Sequence, residues 1–539
     1  MEYNLADLFE SVVRAVPDNP ALVCGNRKLT YEQLDERANK LASFLKDKGV
    51  KAGDHIGLHL FNGTEYVEGM LAALKLRAVP ININYRYVAE ELKYLFDNAD
   101  LVAVISQQEF TEIVKEAADG LSALSTFVFL QDGSGQEWQN ANCHDYDEVM
   151  RQSSPLTTYE NRSGKDLFII YTGGTTGMPK GVMWQHEDVF FAGLQGGAPG
   201  GEPIEKPEEL AANAIEGNYT LHMLPAAPFI HGAAQWTTFI GLFTGGKVGI
   251  QDGRSFDAKK IWTLVKEEQL TTLTIVGDAM ALPLIDELKE NKYDTNSLYT
   301  IASAGAILSP NVQEELQKLL PDVSILNNFG SSETGHQGAA FSDDDDEEAR
   351  PTFYMDESNT VLDDQMNPIE PGSGITGKLA RCDRIPLGYY KDEKKTRERF
   401  VEVNGKRWVM PGDFATIQED GSITVFGRGS VCINTGGEKV FPEEVEEALK
   451  GHPDVYDTLV VGIADEKWMQ KVAAVIQLRP NASGDVDSIE AFCRTKVAGY
   501  KVPRFVTFAE KVERMPSGKP DYRWAKEYIT AEYEKTQSP

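Results

Sequence analysis

The stretch Tyr171-Thr-Gly-Gly-Thr-Thr-Gly-Met-Pro-Lys180-Gly181 follows an apolar run over residues 166–170 and leads into Val182-Met-Trp-Gln-His186. A short apolar run reads as a buried strand, and the glycines after it as the turn that ends it. Three glycines let backbone N–H groups converge on an anion, threonine hydroxyls add donors, and Lys180 adds charge. The pattern reads as a phosphate-gripping loop. It is not a Walker A loop, because Gly181 follows Lys180 where Ser or Thr would be needed to hold Mg²⁺. Taken alone, the same residues also fit a Gly/Thr-rich turn with a surface lysine.

Outward from the loop, strand and helix alternate. The pattern predicts a helix over 30–45, opened by Thr30 and Gln33 at capping-box spacing, then a turn at 51–54, a strand over 55–59 and a helix over 64–76. Similar units recur at 101–106, 167–171, 272–276 and 298–303, each an apolar run with a Gly, Asp or Ser turn and a helical stretch after it. Such alternation predicts a parallel sheet. The character changes near Phe426-Gly-Arg-Gly-Ser430, after which helices over 442–450 and 489–498 and strands over 458–463 and 472–478 predict a second domain of about a hundred residues. The expected fold is α/β. A large N-terminal domain of layered α/β subdomains spans 1–428, a hinge lies at 429–430, and a small mobile C-terminal α+β domain spans 431–539.

The formal charge is −30, from 83 Asp and Glu against 53 Lys and Arg, so the mean field repels phosphate backbones and nucleic acid is excluded as a partner. Polyanionic ligands would need local basic groups at Gly-rich turns. Cys24, Cys143, Cys382, Cys432 and Cys493 are odd in number and far apart, which indicates neither a disulfide framework nor a zinc site and fits a reducing cytoplasm. The first residues carry acids early and space Leu5, Leu8, Phe9, Val12 and Val13 as one helix face, unlike a signal peptide. No apolar run approaches the roughly 20 residues that span a bilayer.

Four further clusters carry chemistry. Asn327-Asn-Phe-Gly-Ser-Ser-Glu333-Thr-Gly335 stands where a strand over 323–326 should end; its glutamate beside hydroxyls could hold Mg²⁺ through one carboxylate, or be part of a capped turn. Trp408-Val-Met-Pro-Gly-Asp413 with Gly427-Arg428 offers an acceptor and a donor for a ribose diol, or two surface ion-pair residues. Ile433-Asn-Thr-Gly436-Gly437-Glu-Lys439 turns into a Pro-initiated helix whose N-terminus could face an anion or a thioester carbonyl. Met515-Pro-Ser-Gly518-Lys519-Pro520 puts a lysine on a tight loop. The acidic tract 343–348 reads as a solvated loop, because neighbours in extended chain point to opposite sides and cannot share a metal.

In this order and spacing the five segments resemble the adenylate-forming superfamily of acyl-CoA synthetases, nonribosomal adenylation domains and luciferases. The resemblance runs over nearly the whole chain, from Leu29-Thr-Tyr-Glu-Gln-Leu-Asp-Glu-Arg-Ala-Asn39 onward, and takes in Pro386-Leu-Gly-Tyr-Tyr390. Actinobacterial-type fatty acyl-CoA synthetases acting on steroid side chains look similar at Gly181 to His186, Gly277-Asp-Ala-Met280, Gly330 to Gly335 and Gly499-Tyr-Lys-Val-Pro503.

The resemblance implies ATP, Mg²⁺ and CoA as co-substrates and cofactor, and a small carboxylic acid as partner. Thr172, Gly173, Gly174, Thr175, Thr176 and Lys180 would hold the phosphates, with Glu333 and Thr172 on the metal. Asp413 and Arg428 would hold the ribose. Gly305, Ala306, Asn328, Phe329, Gly330 and Ser332 would frame the adenine and the acyl carbonyl. Lys519 would be catalytic, and His231, in Pro228-Phe-Ile-His-Gly232, matches a position where a ring gates the acyl site, though a packed histidine fits as well. The small domain would swing between steps about Ser430, withdrawing Lys519 and bringing Gly436, Gly437 and Lys439 to the pantetheine. Ser430 departs from the Asp or Lys usual at the hinge, and Pro411 from a usual Thr. The expected reaction is carboxylate, ATP and CoA to acyl-CoA, AMP and diphosphate, on medium- or long-chain, branched or steroid side-chain acids that fit an apolar pocket around Trp184, His231, Trp236 and 277–282. An acyl-AMP ligase loading a carrier protein and a non-catalytic nucleotide sensor are the rival readings, and a homodimer is the ordinary expectation for an enzyme of this size.

Overall fold

The computed structural model describes residues 1–173, 178–341, 352–429, 431–435, 438–465, 469–515 and 518–537; the acidic tract 343–348 lies outside them. Asn4 caps the helix Leu5–Ala15 by accepting from the amides of Ala6 and Asp7, and Leu5, Leu8, Phe9 and Val12 are turned fully into the core. Thr30 and Gln33 form the expected capping box at the head of Tyr31–Asp47. Local sequence signals thus mark the start of both helices.

A parallel sheet runs in the order Val79–Asn82, His55–His59, Leu101–Gln107, Thr126–Leu130, Cys143–Asp145. Its strands are apolar on both faces because both are covered: Ala103 and Ile105 pack with Val67 and Leu71, and Val104 packs on the opposite side with Leu92 and Val114. A second sheet places Pro20–Cys24, Val248–Ile250, Met223–Pro225, Thr272–Ile275, Thr300–Ala304 and Ser324–Ser331 in parallel. It then turns antiparallel through Gly335–Phe341, Thr352–Met355, Ile423–Arg428 and Asp413–Ile417.

Three local expectations are corrected. The sheet is mixed rather than parallel, because a turn as short as Ser332 to Thr334 allows only an antiparallel return. The run at 167–171 is not followed by a helical stretch: Leu167–Thr172 folds back antiparallel on Lys180–Gln185, whose Val182 and Trp184 are buried at strand spacing. The strand expected to end at 326 continues to Ser331, so Asn328, Phe329 and Gly330 are strand residues and Glu333 sits in the turn after them.

The small C-terminal domain is a sheet in the order Glu438–Val440, Ile433–Thr435, Met469–Leu478, Val455–Asp465, with Phe505–Phe508 beside Met469–Leu478. Helices Pro442–Lys450 and Val486–Lys496 bury Val445, Leu449, Ile489 and Cys493 on one face, and Tyr522–Gln537 buries Ala525 and Ile529 on the other. Among the described residues no helix is long and apolar enough to cross a membrane.

Glu446 lies within this domain, accepting from the amide of Val460 at 2.9 Å, and burial pushes its carboxyl up to about 7 from an ordinary 4.5. A carboxyl raised on folding stabilises the fold fully below its unfolded value, and that contribution disappears as pH rises through about 7, on the order of 3 kcal/mol in all. Thermal melts between pH 5 and 8 are therefore expected to show the wild type losing stability relative to Glu446→Gln; parallel profiles would contradict the assignment.

Candidate active site

The C-terminal ends of four neighbouring parallel strands open on one edge of the large sheet, the edge where α/β folds collect ligands. Met223–Pro225 leads to His231, Thr272–Ile275 to Gly277, Thr300–Ala304 to Gly305 and Ala306, and Ser324–Ser331 carries Asn328, Phe329 and Gly330 toward Ser332 and Glu333. Ala304 is in register with Asn328, which sets the two loops side by side. Gly277 has φ 55°, and a Cβ there would lie 2.3 Å from the carbonyl oxygen of Ile307, so this close approach requires glycine. Its amide donates to Ser303 Oγ at 3.0 Å.

Asn82, buried at the end of its strand, donates to the carbonyls of Tyr171 (2.8 Å) and Ile230 (2.6 Å) and accepts from the amide of Tyr171 (2.8 Å). One side chain thereby joins the start of the Gly-rich loop to the residue before His231. Asn62 holds the same segment from the other side, donating to Ala227 O at 3.1 Å and accepting from Phe229 N at 2.7 Å. Asn82→Ala strands three buried backbone groups at about 1–3 kcal/mol for each one left without a partner, so a melting temperature lower by several degrees is expected. An unchanged melting curve would contradict the joint.

Thr172 is in register with Lys180 across the mouth of the hairpin, and Gly173 is exposed there. Gly174, Thr175 and Thr176 lie outside the described residues. Lys180 Nζ is 3.2 Å from the carboxylate of Asp392 and 5.8 Å from the ring centre of Tyr389, whose hydroxyl donates to Glu333 Oε1 at 3.0 Å. The turn that carries Glu333 is fixed on both sides: Trp184 Nε1 donates to Ser332 O at 2.9 Å, Arg381 donates to Thr334 O at 2.7 Å, and Glu333 N donates to Ser331 Oγ at 3.2 Å. Trp184, expected beside the acyl group, is fully buried, supports this turn and meets Trp236 edge to face.

Asp413 is buried and stands in register with Arg428 on the adjacent antiparallel strand, which makes the two expected ribose residues neighbours. Ser430, Gly436 and Gly437 lie outside the described residues. Lys439 is exposed and its ammonium lies over the Phe414 ring at 5.1 Å.

Lys519 comes from the small domain onto this edge. Its Cε is 3.4 Å from the point a Cβ on Gly305 would occupy, and Gly518 lies against Val276 in the same way. Burial, with the charges of Lys519 and Arg86 beside it, pushes the His231 ring down to about 3, so the imidazole is neutral at physiological pH. Its Nε2 is buried and meets no hydrogen-bond partner among the described residues.

Tyr389, Asp392, Asn82 and Arg86 were not assigned roles from sequence. Tyr389 belongs to a segment that carried the family resemblance, which was the one available signal. Arg86 lines a crevice with Phe61, Tyr85, Arg254 and Met280 next to the site. Among the described residues no three His, Cys, Asp or Glu side chains are grouped to hold a metal ion. A lone carboxylate such as Glu333, with one oxygen engaged by Tyr389, fits a cation that takes its remaining ligands from phosphate oxygens and water.

A large α/β domain with a small α+β domain set against the C-terminal edge of its sheet is the architecture of adenylate-forming ligases. The chain superimposes on the crystal structure of the anthranilate CoA ligase AuaEII in complex with anthranoyl-AMP with a TM-score of 0.84, over 98% of each chain at 22% identity. It belongs to the AMP-binding enzyme family, whose model matches residues 9–380, with the AMP-binding enzyme C-terminal domain matching residues 444–519. It is 45% identical over 536 residues to the 3-oxocholest-4-en-26-oate–CoA ligase of Rhodococcus rhodochrous, covering 98% of this chain and 96% of that one. It is also 44% identical over 532 residues to the medium/long-chain-fatty-acid–CoA/3-oxocholest-4-en-26-oate–CoA ligase of Mycobacterium tuberculosis, covering 98% and 96%. The protein is an AMP-forming acyl-CoA ligase that uses ATP and CoA.

Proposed function

We propose that this ligase activates the carboxylate of a steroid side chain or of a medium- or long-chain fatty acid, with Mg²⁺, and that Lys519, Lys180, Glu333 and His231 serve the first step. The observation that carries the residue assignment is the seat of Lys519 on Gly305, beside His231. A carboxylate is a weak nucleophile facing a polyanionic triphosphate, so the step needs charge neutralisation more than proton transfer. Lys519, on the small domain, and Lys180, at the foot of the Gly-rich loop, would provide positive charge. Mg²⁺ on Glu333, with Thr172 at the loop mouth, would screen the phosphates. Neutral His231 adds no charge and offers Nε2 to the acyl carboxyl.

The carboxylate oxygen attacks the α-phosphorus, and the bond to diphosphate breaks with its electron pair on the leaving oxygen. The CoA sulfur then attacks the acyl carbonyl carbon, the bond to AMP breaks, and the thiol proton passes to solvent. Gly173 to Thr176 grip phosphate; Asp413 and Arg428 take the ribose; Gly305, Ala306, Asn328, Phe329, Gly330 and Ser332 frame the adenine and acyl carbonyl. Rotation of 431–539 against 1–428 about residues 429–430 exchanges Lys519 for Gly436, Gly437 and Lys439. Five unpaired cysteines fit a reducing cytoplasm.

The substrate class is tested by competing acetate, benzoate, octanoate, palmitate and 3-oxocholest-4-en-26-oate for limiting enzyme and reading acyl-CoA by mass spectrometry. The long apolar acids are expected to dominate; preference for acetate or benzoate would overturn the assignment.

A further inference from the structure

A chain of buried ions crosses the domain interface and ends at the loop of Lys519. Lys450, the last residue of Pro442–Lys450, places its ammonium 3.0 Å from Asp278 Oδ2 of the large domain and 3.6 Å from Asp457 Oδ1 of its own. Asp457 in turn holds Arg514 in two bonds, Nη2 to Oδ1 at 2.6 Å and Nε to Oδ2 at 2.7 Å. Arg514 Nη1 donates to the carbonyl of Gly518 at 3.3 Å, and Met515 N donates to the carbonyl of Lys519 at 2.9 Å, which closes the loop. At the other end Asp278 accepts from Ser309 N at 2.7 Å and from the Ser309 hydroxyl, and it follows Gly277 in the wall of the cleft. Lys450, Asp278 and Asp457 are all nearly excluded from solvent.

In the docked arrangement two cations, Lys450 and Arg514, face two carboxylates, Asp278 and Asp457, with Glu446 beside them. Asp278 is the one of these that the large domain supplies. Two bonds beside the pair report the same docking, Asn311 Nδ2 to Lys450 O at 3.1 Å and Tyr456 hydroxyl to Asp286 at 3.2 Å.

We propose that Lys450 is a positioning residue for acyl-adenylate formation: its ion pair with Asp278 docks the small domain and, through Asp457 and Arg514, sets the loop of Lys519. This rests on the assignment of Lys519 to the first half-reaction. A buried pair broken on one side leaves an uncompensated charge, so removing either partner disfavours docking more than removing both.

The test separates the half-reactions in Lys450→Met, Asp278→Asn and the double variant. Acid-dependent exchange of diphosphate into ATP is expected to fall roughly tenfold or more in kcat for either single variant, with KM for ATP little changed, and to recover in part in the double variant. Thioester formation from supplied acyl-adenylate and CoA is expected to fall less than exchange does. Lys450→Arg should retain exchange. Equal losses in both half-reactions, or no recovery in the double variant, would overturn the proposal.

A conformational readout keeps the test independent of the chemistry. Fluorophores on Ile375→Cys and Lys511→Cys, both exposed positions on different domains, in a background without the native cysteines, should report a changed interdomain distance in Lys450→Met. An unchanged distance distribution would overturn the latch. Failure of Lys519→Ala to affect exchange would instead overturn the assignment beneath it.

Discussion

Lys519→Ala is expected to slow acid-dependent AMP formation by about 10²–10³-fold while leaving thioester formation from supplied acyl-adenylate within a few-fold of wild type, the loss being that of one preorganised charge at the reacting centre. The side chain packs along the bare backbone of Gly305, its Cε within van der Waals reach of where a Cβ would stand, and near enough to His231 to lower that ring's basicity. In the proposed assignment its charge would sit where the acyl carboxylate and the α-phosphate meet. The contribution is electrostatic, so Lys519→Arg should recover part of the rate and Lys519→Met none. In the second half-reaction the phosphates to be neutralised have already left with diphosphate. A variant equally slow in both half-reactions would contradict the division of labour.

Glu333→Gln is expected to lower AMP formation by about 10²-fold and to raise the Mg²⁺ concentration needed for half-maximal rate, because the amide keeps the shape but not the charge that holds a hard cation. The turn around it is held by Trp184, Arg381 and Ser331, so the substitution removes a charge from a fixed place. Tyr389→Phe removes the bond at 3.0 Å to Glu333 Oε1 and should cost about tenfold at most. An unchanged Mg²⁺ dependence in Glu333→Gln would rule the residue out as a metal ligand.

Much of the fold was legible where one segment decides its own structure. The capping box at Thr30, the strand at 55–59 and the helix opened by Pro442 all lie where side-chain period and caps put them. Chain direction was not legible: a helical stretch was expected after the run at 167–171, and only the pairing of Lys180–Gln185 with Leu167–Thr172 makes the segment a hairpin. The strand through Phe329 and Gly330 was missed for a similar reason, since its glycine and polar residues look like a turn until Gly335–Phe341 pairs with them. Within the candidate site, residues on Gly-rich turns stood out by their types, and their expected roles came from the family resemblance. Asn82 and the Asp278–Lys450 pair were not, because an asparagine that bonds backbone 89 and 148 residues away, or an ion pair spanning 172 residues, leaves no local pattern.

Both half-reactions in one cleft are tested most directly by incubating the protein with Mg·ATP, CoA and palmitate or 3-oxocholest-4-en-26-oate and measuring AMP and acyl-CoA together. AMP and acyl-CoA formed in equal amounts, and neither formed without the acid, is the expected result. Acyl-adenylate that persists in the presence of CoA without thioester, or no acid-dependent AMP with either acid, would contradict it.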